Sequence, residues 1–110
     1  MSMHNKYIFG HLKAESLQLE IAAAVASLNH GARPDIAFAT YIAIHKKLMS
    51  LTLNDFNSES RHEQYCKYIN YVNEDLRKVY NEIVGQQERF LPNNYMEIRT
   101  SLLAMLAAFE

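Results

Sequence analysis

Residues 60–85 read SRHEQYCKYINYVNEDLRKVYNEIVG, and within them Tyr65, Ile69, Val72, Leu76, Val79 and Ile83 recur at spacings of four and three. Spacing that averages close to 3.6 brings all six side chains to one side of an α-helix, whereas a strand would scatter them over both of its faces. Ser60 and Glu63 stand in the S-x-x-E arrangement, in which each side chain can satisfy a free backbone N–H at the other's position. The helix is therefore expected to begin there, and Gly85 is expected to mark its end.

The same reading extends outward in both directions. Ahead of this helix, Asn54, Asp55, Asn57 and Ser58 fall within 52–59 and favour turns that bond their own backbone, so this segment reads as the longest loop. Before it, Pro34 and Asp35 open a helix with the stripe Ala37, Tyr41, Ile44, Leu48 and Leu51. A first helix over 5–29 places Gly10, Ala14, Leu17, Ile21, Ala24 and Leu28 in register, and Gly31 with Pro34 stops it. After 60–85, Pro92 bars continuation. Asn94 with Glu97 resembles the cap of a last helix through Tyr95, Ile98, Leu102, Met105, Leu106 and Phe109.

The expectation is an all-α protein, an antiparallel four-helix bundle with helices over 5–29, 35–51, 61–85 and 95–109, in a single domain over 1–110. With three Gly and two Pro in 110 residues and no sustained two-residue alternation, there is little from which to build a sheet.

Composition narrows the function classes. Eleven Lys and Arg against twelve Asp and Glu give a formal charge of −1, which exerts no long-range pull on nucleic acid or anionic lipid. Lys46 with Lys47 and Arg77 with Lys78 are the basic pairs, and no helix carries the basic face of a DNA reader. Cys66 is the only cysteine, which suits a reducing compartment. The first six residues lack a signal peptide's pattern, and the apolar runs 21–26 and 102–109 are far short of the roughly 20 residues a bilayer requires. A cytoplasmic protein without nucleic-acid or membrane partners is expected.

Chemistry-bearing motifs are sparse. His62 and Cys66 lie four apart on one helix face, a workable two-ligand spacing that Glu59 or Glu63 could approach, but no second ligand pair accompanies them. His4 and His11 are two turns apart, and His45 sits at the edge of an apolar stripe, where a neutral ring bonded to a carbonyl is the ordinary arrangement. Cys66 lies inside a helix, away from the N-terminal field that would activate a thiol. Glu74 and Asp75 adjoin along the chain and do not face each other across a cleft. Neither a glycine-rich phosphate loop nor G-x-S-x-G occurs, and no cofactor or metal is expected.

What the chain has in surplus is apolar helix surface. Winding the first helix at about 100° per residue puts Leu17, Ile21, Ala24 and Leu28 on one side and Ile8, Leu12, Leu19, Ala23 and Ala26 nearly opposite. Lys13, Ser16, Glu20 and Ser27 lie between them on one flank, and His11, Glu15, Gln18 and Asn29 on the other. Three placements satisfy this pattern: a helix enclosed by the other three, a helix whose second face meets another chain, with Ala22, Ala23 and Ala26 allowing close approach, or a helix frayed over 5–10, which would remove Ile8 from the face. Tyr71 points away from its helix's core stripe, either along a neighbouring helix or toward a partner, and 102–109 is apolar almost all round. The sequence thus points to a non-enzymatic, regulatory protein-binding molecule that sequesters or neutralises a protein partner, paired as a homodimer through Ile8, Leu12, Leu19, Ala23 and Ala26, with Tyr71 reserved for the partner. A metal- or thiol-dependent enzyme using His62 and Cys66, and a DNA-binding regulator, are the rival expectations.

Overall fold

The computed structural model describes residues 13–85 and 92–109. Their helices are α1 (Lys13–Asn29), α2 (Pro34–Met49), α3 (Glu59–Gly85) and α4 (Pro92–Leu106), with single 3-10 turns at Leu53–Asp55 and Ala107–Phe109. No strand occurs among the described residues. Nor is any described helix long and apolar enough to cross a membrane. Residues 5–12 of the expected first helix lie outside the described residues.

Local chemistry accounts for each boundary. Gly31 ends α1 with φ at +85°, a left-handed conformation that a side chain would strain, while the Ala32 N–H donates back to the Ser27 carbonyl at 3.0 Å. Arg33 is extended, as the residue before a proline must be, and Pro34 opens α2. The expected loop at 52–59 is more ordered than its composition implies. Asp55 Oδ2 accepts from the Thr52 N–H at 2.8 Å and closes a reciprocal cap around a 3-10 turn. The turn delivers Phe56 into the core.

Both later helices begin earlier than the sequence suggested. Ser58, not Ser60, caps α3: its Oγ accepts the Arg61 N–H at 3.2 Å, which leaves Ser60 inside the first turn. One well-placed hydroxyl is enough for an N-terminus, and the Ser60–Glu63 pattern is not needed. At the last helix, Pro92 is the opening residue, because a first-turn position needs no N–H. Asn94 is consequently buried within the first turn and is not a cap.

Cross-helix contacts establish an antiparallel bundle. Lys47 of α2 meets Glu20 of α1 at 2.9 Å, Arg99 of α4 meets Asn29 at the end of α1, and the Tyr68 hydroxyl of α3 donates to the Ala104 carbonyl at 2.7 Å. The partners run in opposite order along neighbouring helices: Tyr95 and then Arg99 of α4 meet Ala32 and then Asn29, and Tyr68 early in α3 meets Ala104 late in α4. α1 packs chiefly on α2 and α4, while α3 docks through α4, the C-terminal turn and, more lightly, α2. Between them Ile21, Tyr41, Ile44, Leu48, Ile83, Ile98, Leu102 and Met105 are fully enclosed. The tyrosines on or beside the core stripes keep their polar tips bonded, Tyr65 to the Leu48 carbonyl and Tyr95 to that of Ala32, so burying their rings strands no hydroxyl.

Candidate functional site

Two sides of α1 contrast. Ala14, Leu17, Ile21 and Ala24 are buried against the bundle, while on the far side Leu19 is 73% exposed and Ala22, Ala23 and Ala26 are exposed with it. No described helix closes over this face, so enclosure by the other three helices does not account for it. Ile8 and Leu12, expected on the same face, lie outside the described residues. Beside it a groove of about 220 Å3 separates α1 from α2, walled by Ala23, Ser27 and Ile36 and floored by Ala24, Ala37 and Leu102. Ile36 is half exposed and extends the apolar surface from α1 onto α2.

A second surface lies across the bundle. Tyr71 is 86% exposed, so its ring does not lie against a neighbouring helix. One turn further along α3, Asp75 begins a groove of about 370 Å3 between α3 and α4. Leu76, Val79, Ser101 and Ala104 line it with Asp75, Glu82, Met96, Glu97 and Thr100. Met96 is 72% exposed and Leu103 40%. The sequence reading did not single out these two residues. Their seven-residue spacing, off the Ile98–Leu102–Met105 stripe, was the available signal.

Where the core is polar, it is closed on itself. The Tyr41 hydroxyl and Ser101 Oγ share a buried hydrogen bond of 3.1 Å, and burial raises the Tyr41 pKa above its usual 10.0 although the Ser101 bond opposes this. Burial, followed by the nearby Cys66 and Asp55, pushes Tyr65 up to about 12. His45 is 8% exposed and stacks on Tyr80 with centroids 4.1 Å apart. Its Nε2 has no hydrogen-bond partner, which corrects the expected carbonyl bond at that nitrogen. Helix α2 aims the ring into an aromatic layer, where stacking replaces a polar contact. Burial lowers the imidazole's pKa and favours the neutral ring. With Ser101 bonded to Tyr41, this cluster holds α2, α3 and α4 together.

His62 and Cys66 do meet, with Nε2 and Sγ 3.4 Å apart on α3, and the edge of Phe56 packs against the imidazole at a centroid distance of 5.4 Å. Among the described residues, no group of three His, Cys, Asp or Glu side chains is arranged to hold a metal ion. Glu59 and Glu63 are exposed on the same helix. No family model, curated protein or solved structure matches the chain.

Proposed function

We propose that this is a non-enzymatic regulatory protein that pairs with a copy of itself across the outer face of α1 and, as that dimer, sequesters or neutralises a protein partner. The observation that carries the reading is the exposure of Leu19, at 73%, on one face with exposed Ala22, Ala23 and Ala26, on a helix whose opposite side is already buried. A large aliphatic left in water forfeits about 1.5–3 kcal/mol that burial would recover, and alanines beside it let a second backbone approach closely.

The face is also self-complementary. When a second α1 runs antiparallel about the midpoint between Ala22 and Ala23, Leu19 of each copy falls opposite the small Ala26 of the other. Glu15 falls opposite His30 and Ser16 opposite Asn29, so no like charges meet. A parallel pair would set Glu15 against Glu15 and Leu19 against Leu19. We place the protein in the cytoplasm, where a lone thiol such as Cys66 stays reduced.

Substituting Leu19→Glu, at a site exposed in the single chain, is expected to halve the mass measured by sedimentation at micromolar concentration while the helical circular dichroism is retained. A native chain that already sediments as a monomer there overturns the pairing. The 3.4 Å contact between His62 and Cys66 favours a second reading, a metal- or thiol-dependent enzyme. Elemental analysis separates the two, because a stoichiometric ion retained through dialysis would replace the binding-only reading.

A further inference from the structure

We infer that the groove between α3 and α4 is the docking site for the protein partner, and that the partner presents a cationic amphipathic helix to it. The inference rests on the protein-binding reading and adds the chemistry of what is bound. The groove is open, with Leu76, Val79 and Ala104 supplying an apolar lining. A helix laid between two others seats its apolar stripe in such a trough and leaves its polar flanks over the rims.

Met96 lines this trough, and the same two helices carry two more exposed large apolar side chains, Tyr71 and Leu103. Tyr71 stands at 86% exposure one turn before Asp75, and Met96 and Leu103 share a strip of α4 at 72% and 40%. Apolar groups gathered on one side of a small protein mark contact surfaces, and methionine's flexible thioether adapts to the shape it meets. Neither Tyr71 nor Met96 has a structural task in the bundle that would require it to be apolar.

Charge then selects the occupant. Every ionisable group lining the groove is acidic, namely Asp75, Glu82 and Glu97. None of the three makes an ion pair or side-chain hydrogen bond among the described residues, where the salt bridges join Arg33 to Asp35 and Lys47 to Glu20. Arg99, the cation of α4, is turned to Asn29 on α1, and Lys78, one turn before Glu82 on the exposed face of α3, is not among the lining residues. Glu97 is only half exposed, and its charge also acts on the buried Tyr41, so Asp75 and Glu82 are the exposed carboxylates of the groove. The same carboxylates repel an anionic lipid surface, so the surface fits a basic protein segment and not a membrane.

The test uses the full chain and two fluorescent synthetic helical peptides with one apolar pattern, one built of Leu and Lys and the other of Leu and Glu. Binding is read by anisotropy. The Leu/Lys peptide is expected to bind at least about tenfold more tightly than the Leu/Glu peptide, a difference of about 1.4 kcal/mol. The exposed double substitution Asp75→Lys with Glu82→Lys is expected to remove that preference, and Met96→Ser is expected to weaken binding of the Leu/Lys peptide several-fold. Equal binding of both peptides overturns the inference, and so does unchanged binding by either groove variant. Leu19→Glu, which tests the α1 pairing, is expected to leave peptide binding intact. A chain that forms the α1 dimer but binds neither peptide therefore defeats the groove assignment alone.

Discussion

Helices α1 and α3 both carry a regular apolar stripe, yet they meet solvent in different ways. Outside its core side, α3 is clothed in Glu, Asp, Asn, Arg and Lys, and Tyr71 stands out among those polar neighbours. On the outer side of α1 the exposed residues Leu19, Ala22, Ala23 and Ala26 are uncharged, and the nearby Glu20 is turned to Lys47 of α2. Folding explains one apolar side on each helix, and α3 has little left to explain. On α1 a second apolar side remains, and helix formation or packing within the chain does not require it. That difference is why self-association is assigned to α1, and why the α3 side is assigned to a partner that brings opposite charge.

Substitution on the two sides of α1 puts this contrast under the greatest strain. Ile21→Ala empties a fully enclosed site and is expected to cost about 2–5 kcal/mol in urea unfolding. Leu19→Ala, two residues away but on the outer face, is expected to change the unfolding free energy by less than about 0.5 kcal/mol at concentrations where the chain is monomeric. Equal losses at the two positions would mean that the outer face is covered within the chain.

The attachment of α3 can be probed through His45, which stacks on its Tyr80. Burial lowers the folded-state pKa of His45 below 6.5, so above that pH the ring is neutral whether the chain is folded or unfolded. As pH falls below 6.5 the unfolded chain takes up a proton that the folded chain resists, and stability declines until the folded-state pKa is passed. The slope from this one group is at most about 1.4 kcal/mol per pH unit. Urea midpoints measured between neutral and mildly acidic pH are expected to flatten in His45→Phe. An unaltered slope would show that His45 is not the group responsible.

The smallest effect concerns where α3 begins. Ser58→Ala removes the hydroxyl that receives the Arg61 N–H and is expected to cost about 1 kcal/mol, whereas Ser60→Ala, within the first turn, is expected to cost only a few tenths. If the two losses were reversed, the start of α3 would lie where the S-x-x-E pattern puts it.

Much of the bundle was legible because its signals are local. The stripes of α2 and α3 are periodic, Gly31 and Pro34 punctuate the chain, and Ala14, Leu17, Ile21 and Ala24 are buried as their spacing requires. Tyr71 was legible as lying off its core stripe but not as exposed, because a neighbouring helix could equally have covered its ring. The boundaries at Ser58 and Pro92 were not, because the sequence offers more than one acceptable cap and a proline either ends a helix or opens one. Phe56 was hidden in a segment whose Asn and Ser content indicates a loop, and its burial depends on the ends of α3 and α4 arriving beside it.

The sequence by itself determined the helical class and where each helix carries its apolar stripes, because periodicity and turn chemistry act within a few residues. It also determined that α1 has two apolar sides. Only the tertiary structure decided which of them the bundle uses, how Asp75, Glu82 and Glu97 come to line one trough with Met96 at its edge, and why His45 has a stacked ring where a carbonyl was expected. Those outcomes depend on which helices become neighbours, a choice made by packing between residues distant in the chain that no local pattern records.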